Sequence, residues 1–265
     1  MNKKILLLTL AMSVLSLGAN AASTNKTDKK GRKQGEWTKT YSNGKKMYEG
    51  TFKDDVPVGV FKRYYEDGKL KSEQTYTSKS QSSVKIYDTD GKTLTTEGQF
   101  DGKLKTGEWK YYVEGKLSMT ENYVDGKREG TTKVYNKNGV VTEETPYKND
   151  KIEGTKKSYL DDGRLYSETE YKNGLMNGSY KLYEGKEQTT EEGQFKDDKR
   201  VGDWKTFDEN HKVAETTPYT KSGHADNQKE LDKRYSDEFD KNEKTIKEKK
   251  YIEPTEMFGG SVISK

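Results

Sequence analysis

No cysteine occurs anywhere in the sequence, which excludes disulfides, thiolate metal sites, a lipid-modified cysteine and a cysteine nucleophile. Histidine is almost as scarce. His211 and His224 are the two in the chain, and neither has a candidate catalytic partner nearby in sequence. No G-x-S-x-G elbow, H-E-x-x-H pair, phosphate loop or G-x-G-x-x-G turn is present, and these are the motifs that carry hydrolytic, metal or nucleotide chemistry. Asp88-Thr89-Asp90-Gly91 opens like a calcium loop, but its glycine comes too early and no glutamate closes a loop of about 12 residues. Carboxylates are plentiful, yet they recur with a repeat instead of standing out as one acid/base pair. The reading is a non-enzymatic protein with no cofactor and no metal site. Proline is also sparse, with four residues, which leaves room for long runs of strand.

Long apolar runs are missing too, with one exception. Ile5 to Leu17 is an apolar stretch behind Lys3 and Lys4, followed by Ala19-Asn20-Ala21. A membrane span needs about 20 apolar residues. The basic start, short apolar segment and small-x-small ending instead mark residues 1–21 as a signal peptide, with a mature chain beginning near Ala22. Export places the protein in the periplasm, in the medium or on the cell surface. Removing Lys3 and Lys4 leaves 47 basic against 45 acidic residues, so no large charge of one sign remains. Apart from a basic stretch at Lys26 to Lys33, Lys and Glu are interleaved. Nucleic acid, which calls for a one-sided basic face, is not an expected partner; an anionic membrane surface would meet only that leading stretch.

Only 28% of residues are hydrophobic while 35% are charged, a balance that often signals disorder. The 19 Tyr, 7 Phe and 3 Trp contradict it, and fit a thin sheet whose apolar material is aromatic. Self-comparison shows why. Gly35, Gly59, Ser83, Gly107, Gly130, Gly154, Gly178 and Gly202 open eight similar units spaced by 24 residues, once by 23. Each unit has an aromatic-rich segment, a turn, a Glu-containing segment ending in Tyr or Phe, and a second turn. The first turns are Asn43-Gly44, Asp67-Gly68, Asp90-Gly91, Asn138-Gly139 and Asp162-Gly163, dipeptides that favour two-residue type I′ hairpins. A two-residue turn at Asp67-Gly68 places Lys62 opposite Glu73; the same arithmetic pairs Lys133 with Glu144 and Lys157 with Glu168.

Two aromatic columns follow. Trp37, Phe61, Trp109, Tyr180 and Trp204 share one position, and Tyr76, Phe100, Tyr123, Tyr147, Tyr171, Phe195 and Tyr219 share another. Small residues such as Ser72, Thr96, Ser167 and Thr169 offer gaps for neighbouring rings. The first column is interrupted by Lys85, Thr132 and Lys156. The expected fold is all-β: tandem antiparallel β-hairpins forming an elongated, twisted single-layer sheet, with one aromatic face and one Lys/Glu face. Residues 22–34 read as a polar leader and 35–226 as the eight repeats. Residues 227–253 read as an insertion plus a degenerate ninth repeat, because Phe207-Asp208-Glu209-Asn210 returns as Phe239-Asp240-Lys241-Asn242; Leu231, Tyr235 and Phe239 at helical spacing offer a capping helix instead. Residues 254–265 read as a tail. The column Trp37, Phe61, Trp109, Tyr180 and Trp204 is the expected interaction face, since extended apolar patches mark binding sites.

The pattern G-x-W-x-x-Y-Y, turn Gly-Lys, Glu, Tyr/Phe, turn Gly-Lys resembles the bacterial variant of the MORN repeat over about Gly35 to Asp226, most clearly in units one, two, four and six. The resemblance implies stacked antiparallel hairpins and an interaction role, through protein or membrane contacts. It also carries an antitoxin label, which gives the alternative of a protein that neutralises a cognate toxin. The choline-binding repeat is likewise rich in Gly, Trp and Tyr-Tyr, but its shorter period does not fit. The partner is therefore expected to be a protein or an envelope polymer, and the sequence leaves the oligomeric state undecided. Intact-mass measurement of the protein from exporting cells should give a chain starting near Ala22; a chain that still carries residues 1–21 would remove the export reading.

Overall fold

The structure is a computed structural model and describes residues 24–184 and 188–223. The expected signal peptide, the expected ninth unit with its helical alternative, the expected tail and His224 lie outside the described residues. Every strand pairing is antiparallel, and the described residues contain 19 strands and no helix. They fall into two compact bodies divided after Arg128. The first holds β1 (Lys26–Thr27), β2 (Lys33–Thr40), β3 (Lys46–Lys53), β4 (Val56–Tyr64), β5 (Leu70–Tyr76), β6 (Gln81–Tyr87), β7 (Leu94–Asp101), β8 (Leu104–Val113), β9 (Lys116–Val124) and β10 (Lys127–Arg128). The second holds β11 (Gly130–Tyr135), β12 (Val141–Lys148), β13 (Lys151–Ile152), β14 (Gly154–Tyr159), β15 (Leu165–Lys172), β16 (Leu175–Glu184), β17 (Gln188–Lys196), β18 (Lys199–Phe207) and β19 (Val213–Tyr219). Within each body, strands pair with their neighbours in the chain, making an open meander of hairpins. The predicted register holds: Lys62 faces Glu73, Lys133 faces Glu144 and Lys157 faces Glu168.

The first turns differ from the expected two-residue form. In Asn43-Gly44, Asp67-Gly68, Asp90-Gly91, Asn138-Gly139 and Asp162-Gly163 only the glycine has a positive φ, and each glycine N–H reaches back three residues, as Gly68 does to the Tyr65 carbonyl at 2.9 Å. This is a type I turn closed by a bulged glycine. The Asn or Asp side chain prefers to accept a nearby backbone N–H, as Asp67 does from Lys69 at 3.0 Å. Such a bulge closes the first hairpin of units one, two, three, five and six. Type I′ geometry appears at Glu114-Gly115 and in second turns such as Asp54-Asp55, Asn149-Asp150 and Asp197-Asp198, where both φ values are positive. Asp88 and Asp90, the start of the calcium-like stretch, accept from Thr89, Lys92 and Thr93 within the turn. The Thr93 hydroxyl, with the Lys92 and Thr93 amides, holds the Asp90 carboxyl down to about 2.

A second bulge opens most units. On β4, Gly59 takes φ +66°, and the pairing shifts by two residues between Glu49–Lys62 and Thr51–Val58. Only glycine adopts this conformation cheaply. Unit three has Ser83 in place of that glycine, and β5–β6 runs without a shift. Consequently Val84, not Lys85, occupies the aromatic position there, pairing with Gln74 and Gly98 at 1% exposure.

The core of each body is the aromatic face. Phe100 meets Trp109 edge to face at 4.9 Å, and Tyr123 follows at 6.3 Å. In the second body Phe195 meets Trp204 at 5.0 Å and Tyr219 follows at 6.1 Å. The two columns therefore interleave, each such contact contributing about 0.5–1.5 kcal/mol beyond its burial. What receives the large rings is backbone. A Cβ added at Gly50, Gly98 or Gly193 would overlap the Phe61, Trp109 or Trp204 ring, respectively. The Trp109 indole donates to the Gln99 carbonyl at 3.1 Å and the Trp204 indole to that of Gln194 at 3.2 Å. Thr169, opposite Tyr180, is the one residue among the expected gaps that stands at this position. Gly98 has no positive φ, so its requirement is space alone. Gly98→Ala should lower stability by about 1–3 kcal/mol through overpacking, read as a lower urea midpoint. In a Trp109→Val background the same change should cost much less, because no ring remains to be displaced.

Candidate interaction face

Three of the five residues expected to form the interaction face are buried. Phe61, Trp109 and Trp204 are 5%, 0% and 2% exposed, and Trp37 and Tyr180 are half-buried. Cations complete the enclosure. Lys33 lies over Trp37 at 4.9 Å, Lys105 over Trp109 at 4.8 Å and Arg200 over Trp204 at 3.7 Å. Every tryptophan thus carries a cation from four residues earlier, on its own strand, an attraction of roughly 0.5–2 kcal/mol. The cations are themselves held. Lys105 Nζ donates to the Tyr111 and Tyr123 hydroxyls at 3.2 and 3.4 Å, and both hydroxyls donate to Glu121 at 2.7 Å. Arg200 pairs with Glu191 at 3.0 Å. These groups satisfy one another within the sheet, so this face is a lid on the core and not a row of exposed rings.

The opposite face carries the regular exposed chemistry. In the first body Glu49, Lys62, Glu73, Lys85, Glu97 and Lys110 stand directly across from one another on successive strands. In the second, Lys133, Glu144, Lys157, Glu168, Lys181, Glu192 and Lys205 do the same. Three pairs read from the sequence thus extend into an alternating ladder. The ion pairs are partly exposed, at 2.9 Å for Lys133–Glu144, 3.0 Å for Lys157–Glu168 and 3.7 Å for Lys62–Glu73, so each contributes about 0.2–1 kcal/mol. Tyrosines lock the carboxylates. Tyr112 donates to Glu97 at 2.7 Å, Tyr159 to Glu144 at 2.9 Å and Tyr183 to Glu168 at 2.8 Å, and Tyr64 donates to Glu49. Each of these tyrosines follows its ladder lysine by two residues, as in Lys157-Ser158-Tyr159, which puts both on one face of the strand. That Lys-x-Tyr spacing was the available signal for this face.

At β2 to β5 the ladder face has a shallow depression lined by Glu36, Thr38, Glu49, Thr51, Val60 and Lys62. Val58 and Val60 are 36% and 46% exposed beside it. His211 stacks on Phe207 at 5.0 Å in a turn. Among the described residues no group of three or more His, Asp or Glu gathers to hold a metal ion.

The ladder sets opposite pH limits. The hydrogen bond from Lys133, reinforced by Tyr159, holds Glu144 below its ordinary 4.5. Burial pushes Glu168 up, but Lys157 and Tyr183 together bring it below 4.5. Burial, then the bond to a carboxylate, pushes Tyr64, Tyr112 and Tyr159 up to about 12. The glutamates therefore stabilise the fold above pH 4.5, and their contribution is lost as pH falls through the lowered values. The phenols contribute fully below pH 10.0, and that contribution is lost as pH rises towards about 12. Tyr159→Phe should blunt the alkaline loss in urea midpoint and move the Glu144 titration, followed by NMR, back towards 4.5.

Comparison with known families agrees with this construction. The model described as the MORN repeat variant matches residues 33–54, 57–77, 128–149 and 152–173. These segments are units one, two, five and six; unit five takes the place expected for unit four, whose hairpin is one residue shorter. No curated protein matches the chain. The matched segments are similar to MORN-type hairpin repeats, and their strands carry the ladder in both bodies.

Proposed function

We propose that this chain is an exported, non-enzymatic repeat scaffold that binds a protein or envelope polymer across its Lys/Glu/Tyr face. The observation that carries the reading is the alternating ladder: charged groups at strand spacing, about 4.8 Å apart, several of them pinned by tyrosine hydroxyls. Pinned side chains lose little further freedom on contact, which favours binding. A ladder lysine within either row has a glutamate on each side. A polyanion such as nucleic acid would meet repulsion along with attraction, and an anionic membrane surface would fare no better. A protein surface with both charges, or a polymer with both, suits this face. MORN-type repeats serve as interaction modules, which supports the same reading.

The test is capture by the mature chain from envelope and culture-medium fractions, with Lys85→Glu and Lys181→Glu variants in parallel. Each substitution places three carboxylates in a row, at a stability cost of about 1 kcal/mol or less per pair, so the β spectrum should persist. Capture should fall several-fold in at least one variant. Capture that both variants leave unchanged would move the site off the ladder. A single stoichiometric partner that is itself toxic to cells would favour the neutralising role instead.

A further inference from the structure

Among the described residues, the first edge of the first body is covered by a short segment alone. β1 is two residues long and pairs only Lys26 with Gln34 and Thr27 with Lys33, against an eight-residue β2. Ahead of it Asn25, at φ +63°, imitates a strand with its side chain. Its Oδ1 accepts from the Thr38 N–H at 2.8 Å, its Nδ2 donates to the Thr38 carbonyl at 3.0 Å, and its backbone N–H donates to the Glu36 carbonyl at 2.8 Å. Exposed edges invite pairing with other chains, and a short polar cover is a known remedy.

Trp37, on β2, shows what the cover replaces. Trp109 and Trp204 are sealed because the preceding strand brings Gly98 or Gly193 beneath the ring and a carbonyl to the indole. Those strands read Glu97-Gly98-Gln99-Phe100 and Glu192-Gly193-Gln194-Phe195. At Trp37 the carbonyl of Lys26 takes the indole hydrogen at 3.1 Å, and the ring stays half-buried.

We propose that β2 is a strand-accepting edge guarded by the chain's own Asn25–Thr27, and that it takes an extended Glu-Gly-x-Phe segment from a partner chain. The glycine would lie under Trp37 as Gly98 lies under Trp109, and the backbone would replace the three hydrogen bonds made by Asn25. Pairing of this kind draws affinity from main-chain bonds and specificity from alternate side chains. This surface is distinct from the ladder face, so either proposal can fail alone.

The probe is a labelled peptide of sequence LTTEGQFD, that of β7. It is titrated into three mature chains: intact, Asn25→Ala, and one lacking residues 22–27. The shortened chain should bind it, and the same peptide with valine for glycine should not bind. The intact chain should bind roughly tenfold or more weakly, because its edge is open only part of the time. The Asn25→Ala chain should fall between them, with faster hydrogen exchange at the Thr38 amide. Self-association of the shortened chain that the peptide suppresses would also support the proposal. If the shortened chain loses its β spectrum, binding to Asn25→Ala decides. No glycine-dependent binding to any folded chain lacking the Asn25 side chain would overturn it.

Discussion

A sheet without a second layer must bury its rings against itself, and that requirement shapes this chain. The large rings solve it by lying flat on the backbone of the preceding strand, where Gly50, Gly98 and Gly193 leave the space. The contact is as close as packing allows, and it converts a strand's own main chain into core wall. In unit three the receiving residue is larger and the arriving one smaller: Gln74 meets Val84. The cations over Trp37, Trp109 and Trp204 then close the outer side. Ring, glycine and cation act as one unit, which is why a chain with 28% hydrophobic residues can hold a dry centre such as Trp109.

The opposite face follows from the same backbone. Once glycine and ring fix the register, the lysines and glutamates one residue away must face each other, and Lys-x-Tyr delivers a phenol to the neighbouring carboxylate. The polar face is therefore as ordered as the aromatic one, although its individual ion pairs are weak. Regularity, more than strength, is what it offers a partner.

Much of this was legible in the residues. The 24-residue spacing places the hairpins, and opposite charges at Lys62 and Glu73 set the register. Turn type was misread because Asn-Gly serves both a type I′ turn and a type I turn with a bulged glycine; the dipeptide does not distinguish them. The burial of the aromatic column is not legible in one strand, whose pattern says which side a ring is on and not what lies beneath it. The relevant signal joins two strands: Gly50 precedes Phe61 by 11 residues, as Gly98 precedes Trp109 and Gly193 precedes Trp204. Lys85 was misplaced for a related reason, since Ser83 removes a bulge and shifts the strand by one. Residues 22–34 read as a plain polar leader, yet Asp28 binds Arg32 at 2.6 Å, Arg32 reaches Asp54 at 2.8 Å, and Asn25 caps β2. Two-residue strands leave no periodicity to detect.

Pairing only between chain neighbours has a kinetic consequence. A large β-sheet usually folds slowly because distant segments must find each other and close long loops. In either body of this chain, a hairpin closes across a few residues and the next strand arrives from directly downstream. The search is short at every step, so assembly can begin at whichever unit is locally most stable and spread outwards like a zipper.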